Sequence, residues 1–106
     1  MAQANEQTVE SGAVADLQSV LSALADPVRL EMVRRLHNAD AELSCTALYD
    51  TVTKATASHH FKILREAGVV ARRPAGQGAT YALRDADVEA AYPGLLSAVL
   101  AAANAE

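Results

Sequence analysis

The chain has 106 residues, the size of one domain, and although 51% are hydrophobic only 4% are aromatic and none is tryptophan, so its core must be built from Ala, Leu and Val. Such a core buries limited area, which a dimer would extend, while the net charge of −4 argues at first sight against a nucleic-acid partner. No apolar run reaches the ~18 residues of a membrane span, the N-terminus lacks the basic start and apolar block of a secretory signal, and a single cysteine, Cys45, excludes an internal disulfide and a multi-cysteine zinc site, so the reducing cytoplasm is the expected compartment.

Residues 1–12 are polar and predict a loose tail ahead of one domain over 13–104. Residues 13–25 place Val14, Leu17, Val20, Leu21 and Leu24 at helical spacing. Asp26-Pro27 restarts the chain, with Asp as N-cap and Pro at the first helical position of a helix over about 27–37. Asn38-Ala39-Asp40 predicts a turn, and a short helix over about 45–51 follows with Ser44 as its cap. Val52-Thr53 is a tight link to the next helix, which completes a helix-turn-helix.

That next helix, 53–67, has two faces. Ala57, Phe61 and Leu64 form a narrow apolar stripe, Thr53 suits the N-cap, and Gly68 suits the left-handed residue that ends a helix. Lys54, Thr56, Ser58, His59 and Lys62 lie largely off the stripe and carry groups that hydrogen-bond base edges and neutralise phosphates. Residues near the helix N-terminus should reach bases, while Lys62 and Arg65 should favour phosphates. His60 borders the stripe and reads equally as a groove contact or a hydrogen-bonded structural histidine. The charge distribution supports a DNA-facing side. Residues 52–84 carry six cations and one acid, whereas the remainder carries three cations and twelve acids. Only the contacted face must release counterions.

After Gly68 the period changes to two. Residues 69–73 predict a strand, 74–78 a Gly-rich tip, and 79–84 the return strand with Tyr81 and Leu83 on one face. Arg72 and Arg73 flank this hairpin and Gln77 sits at its tip; an arginine there can grip a phosphate or enter a minor groove. Asp85 and Asp87 open a last helix with Val88, Tyr92, Leu95, Leu96, Val99 and Leu100 as its stripe, broken at Pro93-Gly94. The predicted architecture is mainly α with a small β-hairpin: a winged helix-turn-helix with an extra helix at each end. The stripes of the first and last helices have little core left to cover and predict packing against a second copy in a two-fold dimer.

Ala23-Leu24-Ala25-Asp26-Pro27-Val28-Arg29-Leu30 resembles the "LADPTRL" signature of the ArsR/SmtB family of bacterial repressors. Residues 57–70 resemble its "SHHLKxLxxAGLV" recognition segment, and Gly78-Ala79-Thr80-Tyr81-Ala82-Leu83 resembles its wing. The similarity covers about residues 15–100 and implies a homodimeric repressor on a partly palindromic double-stranded DNA operator, with an effector that switches affinity. Metal sensing is the family's best-known switch. At the family's Cys-x-Cys positions this chain has Ser44 and Thr46, with its thiol between them; a lone thiolate is not a soft-metal chelate. The family's second site pairs Asp and His along the last helix, but here no His follows Asp87. No metal or other cofactor is therefore expected. Asp85, Asp87 and Glu89 read most simply as helix N-terminal charge, Cys45 as a small buried hydrophobe, and His37 as a helix C-terminal residue. No nucleophile–base set, phosphate loop or metal cluster supports an enzyme. Two alternatives stand beside the repressor: a winged-helix module that binds a partner protein, and a metal-responsive repressor with an unconventional site.

Overall fold

The computed structural model describes residues 12–106, so the tail expected at 1–12 lies, apart from Gly12, outside the described residues. The elements in order are α1 (Leu17–Ala25), α2 (Pro27–Ala39), β1 (Leu43–Ser44), a single 3-10 turn (Cys45–Ala47), α3 (Lys54–Glu66), β2 (Val70–Ala75), β3 (Gly78–Leu83), α4 (Asp85–Ala91) and α5 (Leu95–Ala105). The strands form one antiparallel sheet of order β1-β3-β2. This is the winged helix-turn-helix expected from the sequence.

Local chemistry sets the helix boundaries. The Asp26 carboxylate accepts from the backbone N–H groups of Val28 and Arg29 at 2.9 and 3.1 Å, and Pro27 occupies the first turn. Thr53 caps α3 by accepting from Thr56 N–H at 3.2 Å. At the other end of α3, Gly68 N–H bonds the Arg65 carbonyl and Val69 N–H bonds the Leu64 carbonyl, the paired closure that requires a left-handed residue between them. Gly68 has φ of 81°. Ala15 N–H bonds the Ala67 carbonyl, which brings the approach to α1 against this closure.

The core joins Val20, Ala23 and Leu24 of α1, Met32, Val33 and Leu36 of α2, and Ala57, Phe61 and Leu64 of α3 to Val70, Tyr81, Val88, Leu96 and Leu100. Phe61 stacks on Tyr81 with ring centroids 4.2 Å apart and meets the edge of Tyr49 at 6.4 Å. The Phe61–Tyr81 stack thus ties α3 directly to β3.

The structure corrects several expectations. The helix expected over about 45–51 is only the 3-10 turn Cys45–Ala47, because Leu43 and Ser44 are drawn into the sheet opposite Tyr81 and Thr80. Arg35 then fixes the irregular segment by bonding the Ala47 carbonyl and the Asp50 carboxylate. The hairpin tip is tighter than expected: Pro74 and Ala75 pair with Ala79 and Gly78, leaving a two-residue turn at Gly76-Gln77. Gly76 carries the positive φ, 58°, that such a turn needs. Pro74 is tolerated because β2 is an edge strand. The first helix begins at Leu17 rather than 13, and its stripe divides: Val20 and Leu24 enter the chain's own core, while Leu17 and Leu21 stay 45% and 44% exposed. Leu96 and Leu100 of α5 are likewise spent on the core. The last helix breaks at Pro93-Gly94, as expected, and the Tyr92 hydroxyl there donates to the Ala15 carbonyl at 2.7 Å.

Two measurements check this construction. A Cβ on Gly68 would lie 2.8 Å from the Val14 Cα and would sit at an unfavourable φ, so Gly68→Ala is expected to lower urea-unfolding stability by about 2 kcal/mol or more. An effect below a few tenths of a kcal/mol would contradict the close approach. Glu31 accepts from Arg34 and Arg35, and those bonds, Arg34's first, pull its carboxyl from 4.5 to about 2. A depressed carboxyl stabilises above its unfolded value and loses that contribution as pH falls through the folded one. The stability gap between wild type and Glu31→Gln should therefore hold steady above pH 4.5 and shrink as pH falls toward about 2; a gap indifferent to pH over that window would contradict the clamp.

Candidate nucleic-acid interface

α3 presents its polar side to solvent as a consequence of how its apolar side docks. With Ala57, Phe61 and Leu64 buried, Lys54, Thr56, Ser58, His59 and Lys62 are all exposed. The Thr56 hydroxyl accepts from that of Thr53 at 3.1 Å, so it is held beside the helix N-terminus. Lys62 lies 3.8 Å from Glu66 in an exposed pair, a contact of little energetic weight.

His60 is the exception among the sequence candidates. It is 9% exposed and faces inward, with Nδ1 3.0 Å from Arg29 Nη1 and 3.8 Å from Asp26 Oδ2. The mostly buried ring with Nδ1 against a guanidinium favours the hydrogen-bonded structural histidine, one of the two readings the sequence left open. Arg29 also donates through Nε to the Ala23 carbonyl at 2.8 Å and through Nη2 to the Ser22 carbonyl at 3.4 Å. Burial pushes the Asp26 carboxyl up, but the Arg29 N–H bond, the Arg29 and His60 charges and the Val28 N–H outweigh it, so the carboxyl stays below its ordinary range.

The wing stands beside α3. Arg72, Arg73 and Gln77 are exposed. Arg73 Nη2 lies 3.1 Å from Glu42 Oε2, and the Thr80 hydroxyl donates to Glu42 Oε1 at 2.7 Å. Glu42 was not singled out from the sequence, since it directly precedes β1, a two-residue strand too short to leave a periodic signal. The pKa of the Tyr81 hydroxyl is raised by burial, against the opposing charges of Arg72 and Arg65. Arg65 is half-buried, on the side of α3 toward Tyr81. Between helix and wing runs an open cleft of about 210 Å³, lined among others by Cys45, Lys54, Ser58, Arg72 and Gln77. It offers two cations, a hydroxyl and an amide along one groove, the chemistry that takes a polyanion.

Arg84, the remaining cation of the basic stretch, is turned elsewhere: Nε meets Asp87 at 3.0 Å and Nη2 donates to the Gly12 carbonyl at 2.6 Å. Ser44 and Thr46, at the family's cysteine positions, face each other with their hydroxyls 3.3 Å apart, and Cys45 between them is half-buried. Among the described residues, no three His, Cys, Asp or Glu side chains are grouped so as to hold a metal, and no helix is long and apolar enough to cross a membrane.

A helix-turn-helix domain model matches residues 24–73, the span from the end of α1 through α3 into the wing. The chain is 38% identical over 79 residues to YceK, an HTH-type transcriptional regulator of Bacillus subtilis (strain 168), covering 73% of this chain and 79% of that protein. Among solved structures it is similar to the transcriptional repressor BigR from Xylella fastidiosa, with a TM-score of 0.59, 28% identity and coverage of 76% and 83% of the two chains. It is also similar to an ArsR-like transcriptional regulator from Rhodococcus sp. RHA1, with a TM-score of 0.59, 26% identity and 70% of each chain covered. A five-helix winged fold, a helix-turn-helix match and similarity to regulators lead to one conclusion: this chain belongs to the ArsR family of DNA-binding transcriptional regulators, a family of regulators rather than enzymes.

Proposed function

We propose that the protein is a cytoplasmic, homodimeric repressor that reads a partly palindromic operator with two copies of α3. The observation that carries this reading is the exposed polar face of α3, continuous with the cleft and the wing. Lys54, Thr56, Ser58 and His59 reach base edges from the first turns of the helix; Lys62 and Arg65 hold phosphates; Arg72, Arg73 and Gln77 close on the flanking backbone or minor groove. The Arg73–Glu42 ion pair is solvent-exposed, so a phosphate replaces the carboxylate at little cost. The exposed Leu17 and Leu21 of α1, with the half-buried Leu95 and Val99 of α5, are the apolar surface on which a second copy packs. Two-fold symmetry then presents the paired helices to successive major grooves, about 34–36 Å apart. Occupancy of a promoter blocks transcription, and an effector that binds the low-affinity dimer geometry better relieves it.

The test is fluorescence anisotropy with the DNA upstream of the protein's own coding sequence, against scrambled DNA of equal length, at several salt concentrations. Selective binding by a dimer is expected, with affinity falling steeply as salt rises. Lys62→Ala and Arg73→Ala should each weaken binding to all sequences and lower the salt slope by about 1. Leu21→Glu should give a monomer with little operator affinity. Equal, weak and salt-insensitive binding to both DNAs would favour the protein-interaction module instead.

A further inference from the structure

We propose that His60 and Arg29 are positioning residues for the recognition helix, and that protonation of His60 weakens operator binding by exchanging its bond to Arg29 for one to Asp26. The inference rests on α3 being the DNA-reading helix.

A guanidinium has donors only. The 3.0 Å contact from Arg29 Nη1 therefore makes His60 Nδ1 an acceptor, which places the ring proton on Nε2 and leaves the imidazole neutral. In this arrangement one side chain of α2 ties α3, through His60, to the last turn of α1, through the Ala23 and Ser22 carbonyls. His60 is the buried polar side chain of the core, and it directly follows two residues of the exposed polar face, Ser58 and His59.

Protonation inverts Nδ1 from acceptor to donor. It then opposes the Arg29 N–H and the Arg29 charge, while Asp26 Oδ2 stands 3.8 Å away with the complementary charge. The groups that face the ring are thus Arg29 and Asp26 from α2, backbone carbonyls of α1 around the guanidinium, and on α3 the His59 ring with its centroid 5.8 Å off. The ring cannot satisfy both partners at once. Neutral, it bonds Arg29; charged, it moves to Asp26, which already accepts from Val28 and Arg29 N–H and lies at the N-terminus of α2. Either bond is made to α2, so the exchange shifts α3 against α2 rather than releasing it. Imidazole is the side chain suited to such a change within the physiological pH range.

The test measures operator affinity from pH 8 down to about 5.5 for wild type and His60→Gln. The quantity read is the ratio of the two affinities, in which pH effects common to both proteins cancel. The ratio is expected to fall roughly tenfold toward acid, the scale of an ordinary coupling between two states; a ratio constant with pH overturns the proposal. A purely structural histidine would change the affinity but not its pH profile. Nitrogen-detected NMR of the wild-type imidazole, without DNA, keeps the inference testable if His60→Gln folds poorly. The Nε2–H tautomer at pH 8, with Val28 and Arg29 amide shifts that follow the ring's titration, supports the exchange. An Nδ1–H tautomer, or α2 amides that ignore the titration, overturns it. Because this measurement needs no DNA, failure of the DNA-binding reading and failure of the switch give different results.

Discussion

Three helices meet at the guanidinium of Arg29, and the aim of the recognition helix depends on that meeting. Arg29 reaches back to two carbonyls at the end of α1 and across to His60 on α3, while the carboxylate that caps its own helix, Asp26, stands beside the same imidazole. Apolar packing sets which side of α3 docks, through Ala57, Phe61 and Leu64 and the stacked Phe61–Tyr81 pair. The half-buried polar network adds directional contacts to that packing, and breaking it leaves donors without acceptors. The rotation of α3 that satisfies His60 is also the one that turns Lys54, Ser58, His59 and Lys62 outward.

The same logic sorts the nine cations of an acidic protein. Arg29, Arg34, Arg35 and Arg84 are committed to carboxylates and carbonyls within the fold. Arg65 is half-buried. Lys54, Lys62, Arg72 and Arg73 remain on the surface of α3 and the wing, where Lys62 and Arg73 have only exposed carboxylate partners. The negative total therefore says little about the face that matters: much of the positive charge in the body is cancelled locally, and what stays outward is concentrated beside the cleft.

Much of this was legible in the sequence because it is encoded locally. Asp26-Pro27 marks a helix start by its own chemistry, the 57–61–64 stripe fixes which side of α3 docks, and Gly68 ends that helix in a conformation other residues resist. What was not legible depends on distant partners. The 45–51 segment has a helical look, but the residues just before it, Leu43 and Ser44, pair with β3, and Arg35 holds Ala47 and Asp50 within it. β1, at two residues, shows no period. The role of His60 could not be settled without knowing that Arg29, 31 positions earlier, lies against it. The stripes of α1 and α5 looked wholly available for a partner, and only the folded chain reveals that half of each is already used at home.

Hydroxyl-radical footprinting of the DNA upstream of the protein's own coding sequence tests the central claim most directly, since it reads the number, spacing and symmetry of the docked helices at once. The account predicts two protected tracts related by a dyad, their centres about 10 base pairs apart. A single tract, tracts without symmetry, or no protection at concentrations where the protein is dimeric would contradict it.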